Sequence, residues 1–190
     1  MTSIKAIKFA AWSLWIVAMV GGAYAQTETP KVTMHRQAAG ELDDSGWTTA
    51  TSTKGAYSVK LPGKFNDFTV LHESPKSLLD QAHMLSSTML QGIRFTTTRL
   101  HFHSGLSTAR KQFEKIKAPG GKSPYKSLKR MNINNYEAIE GEIQTKRGSL
   151  VQRSVLLDED LFTMIVEYPK SQETVVKRLA PLFFDSVTFD

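Results

Sequence analysis

The stretch Gly55-Ala56-Tyr57-Ser58-Val59-Lys60-Leu61-Pro62-Gly63 (GAYSVKLPG) decides how this chain is read. Tyr57, Val59 and Leu61 alternate with Ser58 and Lys60, the period of a strand with one buried face. Pro62-Gly63 then ends it: Pro presets φ at the second position of a turn, and Gly accepts positive φ at the third. The three apolar side chains could line a ligand groove, but such a stripe is more often core. The stretch therefore reads as scaffold, a strand and its stop. Trp47 to about Ser52 supplies a partner strand through a turn at Lys54-Gly55, and Phe65 to Leu71 continues as a third.

Upstream, Lys5 and Lys8 precede an apolar run from Phe9 to about Gly22, and Ala23-Tyr24-Ala25 is a small-residue cleavage pattern. This is the build of a Sec-type signal peptide cleaved after Ala25. The apolar run is about 14 residues, short of the roughly 20 that span a bilayer; an uncleaved anchor is the competing reading. No later segment is apolar enough to cross a membrane, so none is expected after cleavage. The protein is expected in the periplasm or secreted. Residues 26–45, rich in Thr, Gln, Glu, Asp and Ala without apolar period, read as a flexible leader. Residues 46–190 then form one domain with one core.

The chain has 190 residues, a formal charge of +6 and no Cys. Without Cys there is no lipid-attached cysteine, disulfide, thiol nucleophile or thiolate metal site, so the core alone must hold an exported fold together. Removing residues 1–25 takes two positive charges and leaves about +4. Basic residues gather between Arg110 and Arg130; an anion-binding face is one reading, a solvated helix and loop the plainer one. No nucleic-acid motif is present, and nucleic acid is not expected as a partner.

Residues 82–90 and 93–103 flank Gln91-Gly92 as a hairpin. In the second run, Ile93 and Phe95 sit on odd positions but Leu100 and Phe102 on even ones, which predicts a bulge near Thr96–Thr98. Residues 107–117 read as a helix with Ala109, Phe113 and Ile116 in one stripe and Ser107 as N-cap. Ala118-Pro119-Gly120-Gly121 stops it, and a basic loop runs to about Tyr125. A meander follows: strands 126–133, 136–145, 149–157 and 161–168, with turns at Asn134-Asn135, Arg147-Gly148 and Asp158-Glu159-Asp160. Ile139 and Ile143 face one way, Glu140 and Glu142 the other. A second helix spans about 171–185, capped near Ser171. Its stripe is Val175 or Val176, Leu179, Leu182 and Phe183, and Pro181 is expected to kink or restart it. Val187-Thr188-Phe189 closes the chain as a short strand. Many sequence-adjacent strands with two helices argue for an α+β fold with a mainly antiparallel sheet.

Four groups of residues could carry chemistry. Gly105-Leu106-Ser107-Thr108-Ala109 nearly matches a nucleophile elbow, but all five His (His35, His72, His83, His101, His103) precede Ser107, against the triad order of that fold; an N-cap explains Ser107. Gly120-Gly121-Lys122-Ser123 resembles the end of a phosphate loop, yet Ile116 stands where its first Gly belongs. His101-x-His103 is the metal candidate: two residues apart on a strand put both imidazoles on one face, which suits zinc or copper. His83, on the partner strand, could lie nearby; the plainer reading is two surface histidines. Glu140 and Glu142 share a face and could act as an acid/base pair, though beside Gln144 they read as a wet face.

The run Tyr57-Ser58-Val59-Lys60-Leu61-Pro62-Gly63 near the start of a small exported domain resembles the PsbP-like superfamily, which includes DcrB-like bacterial proteins. A helix running into Phe183-Phe184-Asp185-Ser186-Val187 is similar to how those domains finish. The resemblance covers about residues 47–190. It implies an α-β-α sandwich around a mainly antiparallel twisted sheet, and accessory or binding roles more than catalysis. Neither motif is a site, and the metal-binding positions of some members have no match here, so no functional residue carries over.

Three functions are open on these residues. One is a non-enzymatic exported domain that binds an envelope protein or complex. Another is a small metal-dependent or hydrolytic enzyme using His101 and His103. The third is a carrier of a small hydrophobic ligand, which predicts an apolar cavity of a few hundred Å³. The residues leave the partner and the oligomeric state open.

Overall fold

A computed structural model describes residues 29–74, 77–117, 125–145 and 148–190. Its strands are β1 (Lys31–Ala38), β2 (Thr48–Thr51), β3 (Tyr57–Leu61), β4 (Phe65–Leu71), β5 (Leu79–Thr88) and β6 (Arg94–Phe102), then β7 (Tyr125–Ile133), β8 (Tyr136–Thr145), β9 (Gly148–Leu156), β10 (Asp160–Tyr168) and β11 (Thr188–Phe189). Helix α1 (Leu106–Lys117) follows β6, and helix α2 (Glu173–Phe184) follows β10 through a 3₁₀ turn at Lys170–Gln172.

Eight strands form one antiparallel sheet in the order β1-β4-β5-β6-β10-β9-β8-β7, and β11-β3-β2 form a second. The quoted stretch is the middle strand of the small sheet. Tyr57, Val59 and Leu61 are fully buried, and Gly63 takes φ 73°, the positive value its turn position requires.

The central strands of the large sheet are buried on both faces. On the first face β2, β3, α2 and the chain end cover Leu85, Phe95, Ala138, Val155, Phe162, Met164 and Val166. On the second face α1 lies over β6, β9 and β10. There Ala109 and Phe113 pack with Met84, Leu100, Leu156 and Leu161, and Ile116 joins them. This is a large antiparallel sheet with two helices, and the sheet dominates. The expected even α-β-α sandwich is corrected in one respect: the layer on the first face is part helix and part small sheet.

Burial on both faces also removes the expected bulge. β6 pairs with β5 and β10 in unbroken register through Thr96–Thr98. Ile93 and Phe95 serve the first-face core, Leu100 and Phe102 the second. A central strand with two cores needs no change of face to carry apolar residues on both parities.

Other expectations are corrected by the ends of elements. Residues 31–38, inside the expected flexible leader, are edge strand β1 on β4; an edge strand held by its ladder and exposed along most of its length shows no apolar period. Helix α1 starts at Leu106, with Ala109 N–H donating to Gly105 O at 3.1 Å, so Ser107 lies inside the first turn and is no cap. Helix α2 passes Pro181 without a break, because only the last turn follows and Pro181 O still accepts from Asp185 N–H at 2.9 Å. Its buried stripe is Val176, Ala180, Phe183 and Phe184, while Leu182 is exposed. Asn134 and Asn135 both take positive φ (48° and 70°), as a two-residue hairpin turn demands. The proposed leader peptide 1–25, the stop at 118–121, the Lys122 loop and Arg147 lie outside the described residues.

Candidate functional site

One row of polar side chains crosses five strands on the first face. It begins at a bulge in β1 between Met34 and Arg36, which aims His35 inward. His35 Nε2 lies 2.8 Å from Thr69 Oγ1 on β4, and Thr69 Oγ1 lies 2.9 Å from His83 Nδ1 on β5. The hydroxyl carries one proton, so at most one imidazole accepts from it and at least one donates to it. The rings of His83 and His101 meet edge to face at 5.2 Å. His101 Nδ1 lies 2.6 Å from Asp160 Oδ1. Arg99 Nε donates to Asp160 Oδ2 at 2.7 Å, and Arg99 Nη1 donates to Gly55 O at 3.0 Å and Ala56 O at 3.3 Å.

Register sets this row. His83 lies opposite Arg99, and His101 opposite Asp160. The row therefore joins the large sheet to the turn that opens β3. The same turn is held from β4, where buried Asp67 Oδ2 accepts from Thr53 N–H at 2.8 Å and from the Thr53 hydroxyl. Between these anchors Tyr57 reaches through the core, its hydroxyl 2.9 Å from Thr97 Oγ1 and 3.3 Å from His83 O.

The electrostatics follow from burial. Burial, then repulsion from His101, His35 and Arg99, pushes the His83 imidazole down to about 4, so it is neutral at neutral pH. Burial raises the Asp160 carboxyl, but hydrogen bonds and charge from His101 and Arg99 outweigh it and hold it below the usual carboxylate range. With Asp160 fixing Nδ1, His101 presents Nε2 as its free acceptor when neutral. Such an imidazole can accept a proton or ligate a metal.

The structure separates the two histidines of the metal expectation. His101 points into the row, whereas His103 lies exposed past the end of β6, its N–H donating to Leu78 O at 3.2 Å. His103 instead approaches His72, whose imidazole is pushed down by burial and then by His103. Among the described residues no three His, Asp or Glu side chains are arranged to hold a metal ion. Ser107 is exposed at the start of α1. Glu140 and Glu142 share the first face as expected, but as ion-pair partners: Arg153 Nη2 lies 2.8 Å from Glu140 Oε2, and Lys126 Nζ 3.7 Å from Glu142 Oε1. Arg153 also reaches Asp185 at 2.8 Å and stacks on Phe184, pinning the end of α2.

Sequence reasoning missed His35, Thr69, Arg99 and Asp160. The Gln91-Gly92 turn could have found one of them, since counting back from it pairs His83 with Arg99. His35 fell in the supposed leader, and Asp160 was read as a turn residue.

No family model matches the chain, and no curated protein does. Among solved structures, it is similar to cyanobacterial PsbP (CyanoP) from Synechocystis sp. PCC 6803, with 9% identity and a TM-score of 0.46, covering 89% of this chain and 98% of that one. A protein from Bacteroides thetaiotaomicron VPI-5482 gives 11% identity and a TM-score of 0.40 over 71% of this chain and 45% of that one, so this chain spans under half its length. LpqN, described as involved in cell envelope biogenesis of Mycobacterium tuberculosis, gives 9% identity and a TM-score of 0.37 over 87% of this chain and 86% of that one. PsbP, the family that the Tyr57–Gly63 motif resembles, is thus among the solved structures found. At these identities no residue role passes from any of them to this chain.

Proposed function

We propose that this chain is an exported, non-enzymatic domain that binds a protein or complex of the cell envelope. The observation that carries the reading is how Asp160 is used. One carboxylate oxygen holds His101, the other holds Arg99, and Arg99 goes on to Gly55 O and Ala56 O. The groups best suited to chemistry serve as struts between the two sheets. The basic n-region, the apolar run and Ala23-Tyr24-Ala25 support export.

The test has two parts on the full chain expressed in its own cells. N-terminal analysis of the accumulated protein is expected to begin at Gln26. Purified protein and its His101→Ala variant are expected to show the same background rate on aryl ester and aryl phosphate substrates. Turnover abolished by His101→Ala would overturn the non-enzymatic reading, and an intact Met1 on protein that fractionates with the cytoplasm would overturn the export reading.

A second reading places zinc or copper at His101, where the neighbouring imidazole is His83, its ring centroid 5.2 Å away, and not His103. Metal analysis of protein purified without chelator, beside His83→Ala and His101→Ala, tests it. Stoichiometric metal lost in both variants supports it, and metal-free wild-type protein removes it.

A further inference from the structure

Charge is unevenly placed along this chain. Residues 106–130 hold eight Lys or Arg and one acid, Glu114, a formal +7 where the whole chain carries +6. Their described part forms α1 and the first part of β7. α1 buries Thr108, Ala109, Gln112 and Phe113 toward the sheet, which leaves Leu106, Arg110, Lys111 and Lys115 exposed on its outward side. Register puts Leu128 and Arg130 of edge strand β7 on the same face, opposite Gly141 and Ile139 of β8. Lys126 and Lys129 take the other parity, beside Glu142 and Glu140, and belong to the first face.

The α1 face also exposes apolar side chains. On edge strand β1, Val32 and Met34 lie opposite Val70 and Phe68, members of the cluster under α1. With Leu106 and Leu128 they make four of the eight large apolar side chains exposed among the described residues; the helix of the first face, α2, exposes one, Leu182. The first-face layer ties its charges in pairs: Lys60 with Asp43, Lys177 with Glu173, and Arg153 with Glu140 and Asp185. On the α1 face Arg94 pairs with Glu167 at 3.3 Å. Glu114 and Glu137 there stand against Arg110, Lys111, Lys115 and Arg130, which leaves that face cationic.

We propose that the α1 face is a membrane-docking surface, seated on the anionic headgroups of a lipid bilayer. Its cations match the negative charge of such a surface. Its apolar side chains choose lipid over protein. They stand singly, Val32 and Met34 on β1 and Leu128 on β7, the two edges of an eight-stranded sheet and so on the order of 30 Å apart, with Leu106 on the helix between. A protein partner is met by a contiguous apolar centre inside a polar rim. A headgroup layer takes each apolar tip separately, while Arg and Lys stems lie along the apolar surface and reach its phosphates. The face lies opposite the histidine row and stands independently of the partner reading, which needs no lipid.

The test is co-sedimentation of the protein, purified from the cells that make it, with vesicles of phosphatidylcholine alone or mixed with phosphatidylglycerol. The expected result is tighter binding to the anionic vesicles, weakened by salt. Arg110→Gln/Lys111→Gln/Lys115→Gln on α1 is expected to lower that binding at least about tenfold. Lys170→Gln/Lys177→Gln/Arg178→Gln, three exposed cations of the first-face layer, removes the same charge and is expected to leave it unchanged. All six positions are exposed, so both variants are expected to unfold at the wild-type Tm. Equal binding to both kinds of vesicle, binding to neither, or the same loss in both variants overturns the proposal. An α1 variant that leaves its native assembly while the wild type ignores vesicles would assign the face to a protein, overturning the lipid proposal and keeping the partner reading.

Discussion

His101 and Asp160 face each other directly across β6 and β10, with Nδ1 2.6 Å from Oδ1. The carboxylate is almost fully enclosed, its side chain 5% exposed, and its second oxygen takes Arg99. Removing one partner of a buried charged set leaves the others uncompensated, which is worse than never having the set. Asp160→Asn is therefore expected to destabilise the fold by about 2–4 kcal/mol, read as a lower urea midpoint at unchanged slope. Loss below about 1 kcal/mol would mean that the cluster behaves as a surface pair.

His83 makes stability depend on pH. Its folded pKa of about 4 lies below the 6.5 of the unfolded chain, so between those values the unfolded state binds the extra proton. Stability is then at its full value above pH 6.5, falls as pH drops toward 4, and levels off below. The span is up to about 3 kcal/mol. His83→Phe, where folded, is expected to flatten this part of the profile; a slope unchanged in the variant would place the titrating group elsewhere.

The quoted strand offers a separate test of its reading as scaffold. Tyr57→Phe removes a hydroxyl that bridges Thr97 and the His83 carbonyl and is expected to cost about 1–2 kcal/mol. Leu61→Ala, at a fully buried site, is expected to cost about 3 kcal/mol. Both follow from chemical denaturation. Near-neutral effects would make Tyr57, Val59 and Leu61 a groove lining instead of core.

Gly148 starts β9 where an added Cβ would stand 2.1 Å from Tyr168 O, a backbone atom of the partner strand. Backbone in a ladder cannot step aside as a side-chain tip can. Gly148→Ala is expected to destabilise by about 2–3 kcal/mol, whereas Gly46→Ala, which meets nothing within 4 Å, is strained only through its positive φ of 78° and is expected to cost about 1 kcal/mol.

What the sequence showed and what it hid divide along physical lines. Strands with one buried face were legible: Tyr57–Leu61, and Ile139 and Ile143 against Glu140 and Glu142. So were turns with demanding backbone, Pro62-Gly63 and Asn134-Asn135. Central strand β6, buried on both faces, showed mixed parity that looked like a bulge. Edge strand β1 showed no parity at all. The histidine row needs the register of five strands at once, and the surface around α1 needs both faces of a sheet assigned. Local spacing holds neither, so His101-x-His103 suggested a pair that the end of β6 takes apart.

The most direct measurement is the native size of the chain in the envelope fraction of the cells that make it, after mild solubilisation. The account predicts a discrete assembly larger than the free mature chain, itself smaller than the 21.2 kDa of all 190 residues, and retained in His101→Ala where that variant folds, because the imidazole is no reagent in the assembly. Finding only free chain in that fraction, or none of the chain there, would contradict it.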